Sequence, residues 1–299
     1  MKKVVVCGLG AVGLSFISWC KNKSCFELKI LANKERIDKY KKNKPVFNNI
    51  EQNFDYITPE DIYKADLIVI TTKAQGLSSA ISYIKNCVKK NTIIISLING
   101  ISSEEIIKEA YPNVNVVKSY FIGHSAVRTG NSVTQDGVST IVIEPCRELE
   151  DFFTKSGLNY SVSNNIDYSM WLKFTFNIFS NQTSAVLKMT FGEMRKNENF
   201  IEFAKKIIAE VRRIAEKRGI TNLENLETDA LNSLKLMCED GQTSMLQDIL
   251  AKRPTEADIF AGEIIKLGKL YGIETPYNQV LYDLIKIEEE HNEHCIHTC

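Results

Sequence analysis

The stretch VVVCGLGAVG, residues 4–13, sets three glycines in the spacing G-x-G-x-x-G directly after an apolar run typical of a buried strand. The first glycine of this pattern permits a tight turn, the second lets the backbone approach a diphosphate, and the third lets a helix pack closely on the strand. Backbone N–H groups at the start of that helix can bind the phosphates. The pattern therefore predicts a dinucleotide-binding loop, with a glycine-rich packing turn as the alternative, over Gly8, Leu9, Gly10, Ala11, Val12 and Gly13.

Strand-like and helix-like segments alternate downstream of this loop. A second strand candidate is FELKIL (26–31), and continuous apolar runs typical of strands buried in a parallel sheet occur at ADLIVITT (65–72) and NTIIISLI (91–98). Helical patterns follow the last two runs at 75–89 and 102–110, and a polar helical pattern follows the first at 34–43. A further strand is predicted in 114–123, and a hairpin or meander in 124–145. This alternation is typical of a doubly wound α/β fold and favours the dinucleotide-binding interpretation.

The character of the chain changes to long helical patterns near residue 165. We predict helices over 167–189, 197–218, 227–238, 255–271 and 276–290. The expected fold class is therefore α/β, with a Rossmann-like dinucleotide-binding domain over residues 1–164 and an all-helical domain over residues 165–299. We expect ligands to bind in a cleft between these domains.

Composition excludes several functional classes. Lysine plus arginine and aspartate plus glutamate number 37 each, so no net charge favours nucleic acid or an anionic membrane surface as a partner. The eight cysteines form no C-x-x-C pair, which in a chain of 299 residues indicates reduced thiols and a cytoplasmic protein. The uncharged run after Lys2 and Lys3 resembles a signal peptide, but no A-x-A-like cleavage site follows it.

The end of the second strand bears on the choice of cofactor. An acidic residue there would bind the ribose 2′-hydroxyl of NAD, but LANKER (31–36) offers Lys34 and Arg36 instead. These cations suit the 2′-phosphate of NADP, although Glu35 leaves NAD open, and all three also fit a solvated helix start. Two further cofactor candidates, Lys73 and Asn99, end predicted strands at the same edge of the sheet.

The stretch WLKFTFNIFSNQTSA (171–185) carries Lys173, Asn177 and Asn181 four residues apart in an otherwise largely apolar helix. At about 100° per residue these three side chains, with Ser180 and Ser184, occupy roughly a quarter of the helix circumference. We call this set the polar stripe. An ammonium group and two amides suit a small substrate that bears a carboxylate and a carbonyl. The alternative is an internal polar network that ties helices together.

In these motifs the chain resembles the ketopantoate reductase (2-dehydropantoate 2-reductase) family. The resemblance covers almost the whole chain and rests on GLGAVG, TTKAQ, LING, the polar stripe, TSMLQDILAKRPTEAD (243–258) and GIETPYNQVLYDLIK (272–286). It implies NADP (NADPH) as cofactor, a small 2-oxo acid as substrate and no metal. It implies Lys173 as general acid and Glu256 as the carboxylate that helps to position the cofactor and this lysine. Asn99, Asn177, Asn181 and Ser244 are the implied substrate ligands, and Asn99 and Ala126 lie at implied cofactor contacts.

The chain differs from the family pattern at three positions. Asn33 stands where arginine is common, Ser102 follows the Asn-Gly pair where glycine is usual, and Phe191 replaces an asparagine in the turn after the polar stripe. The leading hypothesis is NADPH-dependent reduction of 2-dehydropantoate to (R)-pantoate in pantothenate and coenzyme A biosynthesis. Reduction of a different 2-oxo acid by the same mechanism stays open because of Phe191, as does a non-catalytic NADP(H)-binding sensor. The intact polar stripe disfavours the sensor.

Four remaining features carry less information. Glu256 after Pro254 also fits a helix start, where a carboxylate is favoured. His124 is interpreted as a loop residue, and the histidine- and cysteine-rich tail EEEHNEHCIHTC (288–299) is compatible with a transition metal, although short tails are usually disordered. The apolar helical domain is compatible with a homodimer.

Overall fold

The computed structural model describes residues 1–20, 23–123, 126–137 and 139–297, and it divides into two compact units, Met1–Ile166 and Asp167–Cys299. The first unit is an α/β unit with a parallel sheet, and the described part of the second is helical. The predicted fold class is therefore confirmed. The interpretation of His124 lies outside the described residues, and the metal hypothesis for the tail concerns mainly side chains of 293–299, which are also outside them.

The first unit contains thirteen strands and five α-helices in its described residues. The strands are β1 Lys3–Cys7, β2 Glu27–Leu31, β3 Val46–Phe47, β4 Ile50–Glu51, β5 Tyr56–Ile57, β6 Leu67–Ile70, β7 Ile93–Ser96, β8 Asn115–Val117, β9 Ser119–Ile122, β10 Ala126–Thr129, β11 Ser132–Gln135, β12 Thr140–Ile143 and β13 Tyr160–Val162. The helices are α1 Ala11–Trp19, α2 Lys34–Lys42, α3 Leu77–Tyr83, α4 Ser103–Ala110 and α5 Arg147–Ser156.

The main sheet has six strands in the order β5-β2-β1-β6-β7-β8, and every neighbouring pair is parallel. With its strands renumbered along the chain, this is the order 3-2-1-4-5-6 of the Rossmann fold. The strand order reverses between β1 and β6, so a ligand is expected beyond the carboxyl ends of these two strands.

The apolar runs of the sequence form this sheet because both of its faces are covered. Along β1, Val4 and Val6 contact one hydrophobic cluster, whereas Val5 and Cys7 contact a second cluster on the opposite face. Successive side chains of a strand point to opposite faces, so a strand buried on both sides is apolar at every position.

Two smaller sheets complete the first unit, with strand orders β10-β11-β3-β4 and β13-β12-β9. The single strand predicted over 114–123 is wrong, because β8 ends the main sheet while β9 pairs antiparallel with β12. The predicted hairpin is present as β10 and β11, and Gly130 between them has a φ of +61°. The helix predicted over 75–89 is also too long. The chain there forms 3-10 turns at Ala74–Gly76 and Ile84–Asn86 on either side of α3.

The helices that follow are α6 Ile166–Leu187, α7 Phe191–Lys196, α8 Glu198–Lys217, α9 Leu226–Lys235, α10 Ser244–Leu250, α11 Ala261–Tyr271 and α12 Pro276–His297. α7 and α10 were not predicted, and the segment predicted as one helix over 255–271 begins with a 3-10 turn at Ala257–Ile259. α6 is packed through Phe174 against Phe260 and through Phe179 against Phe200 of α8. None of the helices in the described part of the chain has both the length and the apolarity needed to cross a membrane.

Candidate functional site

Two of the three loop glycines are required by the packing of the protein itself. Gly8 has a φ of +110°, and a Cβ there would lie 2.7 Å from the backbone nitrogen of Thr72. A Cβ on Gly13 would lie 2.1 Å from the carbonyl oxygen of Gly8, so α1 packs this closely only because no side chain intervenes.

Gly10 differs from both. Its φ is −88°, which any residue adopts, and apart from chain neighbours the nearest described atom to an ideal Cβ is Nη1 of Arg128, at an ordinary contact distance of 3.7 Å. Gly10 is the N-cap of α1 but has no side chain to cap it, and the first turn of the helix contains no acidic residue. The protein's own packing therefore tolerates a Cβ at Gly10, and uncapped N–H groups begin there. This arrangement fits a diphosphate, which needs close backbone approach and donors from a helix N-terminus.

The ends of the neighbouring strands meet this loop at one edge of the sheet. Thr71 donates from its backbone nitrogen to Cys7 O (2.9 Å) and from its hydroxyl to Gly8 O (2.6 Å), which fixes the loop against the end of β6. Lys73 is exposed and precedes the 3-10 turn after β6, and Asn99 is half-buried just after β7. Because β1, β6 and β7 are adjacent and parallel, the predicted cofactor residues Lys73 and Asn99 follow strands at the same edge as the glycine loop.

Ala126, a predicted cofactor contact through its backbone, is the first residue of β10 and pairs with Gln135 of β11. Both strands of this hairpin contact α1, the helix that begins at the glycine loop. Ala126 therefore belongs to a hairpin that packs beside the same helix.

A buried carboxylate lies in the first turn of α4, shortly after Asn99. Glu104 is 6% exposed and accepts a hydrogen bond of 2.9 Å from the hydroxyl of Ser103. Burial raises the pKa of Glu104 to about 7, against the opposing effect of hydrogen bonds from Ser103 and from the backbone of Ser119. This residue was not predicted, since an acidic residue at a helix start is ordinarily solvated.

The residues that follow β2 have different partners at the start of α2. Asn33 caps α2, because its Oδ1 accepts a 3.0 Å hydrogen bond from the backbone nitrogen of Arg36. Glu35 pairs with Lys39 at 2.8 Å, so its carboxylate is engaged along the helix. Lys34 and Arg36 are exposed in the first turn of α2. The charge of Arg36 lowers the pKa of Cys7 in part, although burial dominates and raises that pKa to about 12. The cation of Arg36 therefore acts near the end of β1.

The polar stripe lies on α6 as predicted. Lys173 and Asn177 are half-buried, and Asn181 is 4% exposed. The side-chain oxygen of Asn181 accepts hydrogen bonds from the hydroxyl of Ser244 (3.3 Å) and the backbone nitrogen of Met245 (3.4 Å), at the start of α10. The structure thus brings together two of the predicted substrate ligands, Asn181 and Ser244. Met245 was not foreseen, because no sequence pattern links its backbone to α6.

The two serines of the polar stripe have local partners. The hydroxyl of Ser180 donates to Phe176 O (2.6 Å), and that of Ser184 donates to Met189 O (2.7 Å). These hydroxyl protons satisfy backbone carbonyl groups, so the two serines share the arc of the polar stripe but are not among its predicted substrate ligands. The effective polar stripe consists of Lys173, Asn177 and Asn181.

An internal polar network does exist, but on the neighbouring face of α6. The fully buried Gln182 accepts from the backbone nitrogen of Ala261 (3.1 Å) and donates to Asn278 (3.4 Å). Asn278 donates in turn to the buried carboxylate of Glu210 (2.7 Å), which also accepts from the backbone nitrogen of Tyr277 (2.9 Å). The alternative of a structural network therefore applies to Gln182, one residue beyond Asn181.

Glu256 is half-buried and precedes the 3-10 turn at Ala257–Ile259, but its side chain makes no capping hydrogen bond to that turn. The hydroxyl of Thr255 accepts from Ala257 N at 3.2 Å instead. The local explanation of Glu256 as a helix-start carboxylate is therefore weakened.

Phe191 is held in place at the start of α7. Its ring stacks on Phe176 of α6 with centroids 6.2 Å apart, and its backbone nitrogen donates to Gly241 O at 3.0 Å. The chain thus has a packed aromatic ring where the family pattern has an amide.

Comparison with known proteins gives consistent matches over both units. The family model described as ketopantoate reductase PanE/ApbA matches residues 4–148, and the model of the C-terminal part of the same family matches residues 165–289. The 2-dehydropantoate 2-reductase of Streptococcus pyogenes serotype M6 is 26% identical over 300 residues, which cover 96% of this chain and 97% of that protein.

Solved structures show the same architecture. A ternary structure of D-mandelate dehydrogenase with NADH and anilino(oxo)acetate is 25% identical, has a TM-score of 0.86, and covers 97% of this chain and 99% of that one. The dimeric ketopantoate reductase of Staphylococcus aureus is 20% identical and has a TM-score of 0.79, and the match covers 97% of this chain and 99% of that one. This similarity shows that the two proteins share a fold. With both family models matched in chain order and relatives aligned over nearly the full length, the chain belongs to the ketopantoate reductase family.

Proposed function

We propose that this protein reduces 2-dehydropantoate to (R)-pantoate with NADPH, in the biosynthesis of pantothenate and coenzyme A. The observation that carries the proposal is the arrangement at Asn181. Its amide oxygen is engaged by Ser244 and Met245, whereas its amide nitrogen makes no hydrogen bond within the described part of the chain. The orientation of this buried amide is therefore set by protein donors, and its N–H₂ group is left to meet an acceptor such as a substrate carboxylate or carbonyl.

The neighbouring groups complete the substrate site in this proposal. Asn177 lies one helical turn from Asn181 and makes no hydrogen bond within the described residues, so its amide is available to the substrate. The exposed hydroxyl of Ser244 adds a further polar contact. Asn99, at the sheet edge, serves as a ligand of both substrate and cofactor.

Bound NADPH would supply the hydride for the ketone carbon. The chain itself would hold the diphosphate at Gly8 to Gly13 and the adenosine 2′-phosphate at Lys34 and Arg36, and it would contact the cofactor through Lys73 and Ala126. The two exposed cations in the first turn of α2 support a preference for the phosphorylated cofactor, and the one carboxylate of that turn, Glu35, pairs with Lys39 at 2.8 Å.

Lys173 acts as the general acid in this mechanism. As the ketone is reduced, negative charge develops on its oxygen, and the Nζ of Lys173 donates the proton that neutralises it. Glu256 holds the lysine and the cofactor in position.

A second substrate remains a candidate because of Phe191. The similar D-mandelate dehydrogenase was solved with anilino(oxo)acetate, an oxo acid derivative with an aromatic group. Phe191 and Phe176 likewise give this chain an apolar, aromatic surface beside α6. Parallel kinetics with 2-dehydropantoate and an aryl 2-oxo acid would identify the preferred substrate.

The test of the proposal is the variant Lys173→Ala beside Lys188→Ala, whose lysine lies just after α6 and pairs with Glu288 at 3.0 Å. We expect Lys173→Ala to bind NADPH normally and to lose a factor on the order of 10²–10⁴ in turnover, which is the usual contribution of general acid catalysis. Lys188→Ala should retain wild-type turnover. Wild-type reduction should also decline at alkaline pH, where a lysine loses its proton. Turnover of Lys173→Ala within a few-fold of wild type would exclude this mechanism, and a wild-type protein that reduces no 2-oxo acid would instead favour the sensor.

A homodimer and a cytoplasmic location belong to the same proposal. Val280, Leu284 and Ile287 are 56%, 43% and 62% exposed along one face of α12, and such a row of apolar side chains suits an interface with a second copy. Light scattering on Leu284→Lys should then report a smaller species than wild type. Free thiols at Cys7 and Cys87, both buried, support a reducing compartment.

A further inference from the structure

Arg128 lies in an unusual electrostatic position beside the glycine loop. It belongs to β10, where it pairs with Val133 of β11, and its side chain is exposed. Its Nη1 is 3.7 Å from the position that a Cβ of Gly10 would occupy, and its Nε donates to Gly130 O at 3.0 Å. The hydrogen bond to the hairpin turn holds the guanidinium beside the N-terminus of α1.

No carboxylate in the described part of the chain pairs with this cation. Within the described residues the guanidinium forms no ion pair, and the first turn of α1 has no acidic residue. A helix N-terminus carries roughly half a positive charge, so the arginine and the helix end repel each other when no anion is bound beside them. An anion that contacts both would convert this repulsion into two attractions.

We propose that Arg128 is a cofactor ligand that binds the diphosphate of the dinucleotide beside the N-terminus of α1. The inference rests on the proposed function only in requiring a nicotinamide dinucleotide. The diphosphate is the favoured partner because Gly10 is the glycine at which backbone approaches the diphosphate. The 2′-phosphate has its own cations, Lys34 and Arg36, after a different strand. The terminal N–H groups of the guanidinium stay available, and their planar fork matches two phosphate oxygens.

The test is direct titration of NADPH and NADH, followed by nicotinamide fluorescence, on wild type, Arg128→Ala and Arg128→Lys. Arg147→Ala is the matched control, since Arg147 is another exposed arginine of the same unit at the start of α5. We expect Arg128→Ala to raise Kd for both cofactors by about 10- to 100-fold, as befits a lost charge-assisted hydrogen bond. Arg128→Lys should recover part of the lost affinity. Arg147→Ala should leave Kd for both cofactors unchanged.

Two outcomes would overturn the inference. An unchanged Kd of Arg128→Ala for both cofactors would mean that the guanidinium does not touch them. A weaker affinity for NADPH alone would assign Arg128 to the 2′-phosphate. Because the readout is binding, a wild-type protein that binds both cofactors but reduces no 2-oxo acid would refute the proposed reaction and leave the role of Arg128 intact.

Discussion

Replacing Gly10 by alanine should preserve the fold and remove most of the cofactor affinity. The φ of −88° suits alanine, and the nearest described atom would be 3.7 Å from the new methyl group. Alanine restricts the unfolded chain, which stabilises by about 0.4–1 kcal/mol, but it is a poorer N-cap than glycine by a similar amount. These effects oppose each other, so we expect the free energy of unfolding to change by less than about 1 kcal/mol.

Gly13→Ala is the matched contrast. Its Cβ would lie 2.1 Å from Gly8 O, so α1 must shift, at a cost of at least about 2–3 kcal/mol. In Gly10→Ala the methyl group instead displaces the diphosphate from the helix N-terminus. Losing one charge-assisted hydrogen bond there, worth about 1.5–3 kcal/mol, raises Kd by about 10- to 100-fold.

Urea unfolding and NADPH titration of the two variants separate these effects. Wild-type NADPH affinity in Gly10→Ala would show that the diphosphate does not bind against the backbone of Gly10. Equal destabilisation of both variants would refute the packing argument itself. Gly10→Val should bind NADPH more weakly still, because its branched carbons cover more of that backbone.

Three further predictions concern groups elsewhere in the chain. Asn177→Ala and Asn181→Ala should both raise KM for the 2-oxo acid, but urea unfolding should show a loss of about 1–3 kcal/mol only for Asn181→Ala, which leaves the buried backbone N–H of Met245 without its acceptor. Lys34→Ala combined with Arg36→Ala should reduce the preference for NADPH over NADH in steady-state kinetics, and an unchanged ratio would remove both residues from the 2′-phosphate site. The pKa of Glu104 is raised to about 7, so its contribution to stability is greatest below pH 4.5 and is lost as pH rises through 7. Relative to Glu104→Gln, wild type should lose up to about 3 kcal/mol over this range, measured by urea unfolding at successive pH values.

The sequence predicted the central strands β1, β6 and β7 of the main sheet because they are buried on both faces, which makes each a nearly continuous apolar run. It did not predict β3, β4 and β5, since strands of two residues carry too short a pattern. The break between β8 and β9 was missed for another reason. The backbone nitrogen of Lys118 is bound by the carboxylate of Glu144 at 2.7 Å, so a distant residue, and no local turn signal, marks the change of sheet.

The candidate site shows the same difference between local sequence patterns and contacts with distant residues. Residues that act as a local motif, such as the glycine loop and the polar stripe, could be identified from spacing alone. Contacts across the chain could not. Asn181 and Ser244 are 63 residues apart, and the family resemblance named both without indicating that they touch. Arg128 escaped notice because an exposed arginine in a hairpin has no distinguishing pattern until Gly10 is seen beside it.

The polar groups of α6 show how a one-residue step separates ligand binding from structure. A step of one residue turns a helix by about 100°, so Gln182 points to a different surface from Asn181, which lies on the same face as Asn177. Gln182 has partners within the protein for both ends of its amide. Asn181 combines a structural and a ligand-binding role, because its oxygen binds protein donors while its nitrogen has no partner within the described residues. A change at Asn181 must therefore alter both stability and kinetics, whereas Asn177 offers the cleaner measure of substrate binding. A normal KM in Asn177→Ala would thus be strong evidence that the polar stripe does not bind the substrate. A defect in Asn181→Ala would be weaker evidence that it does, because the same substitution also destabilises the protein.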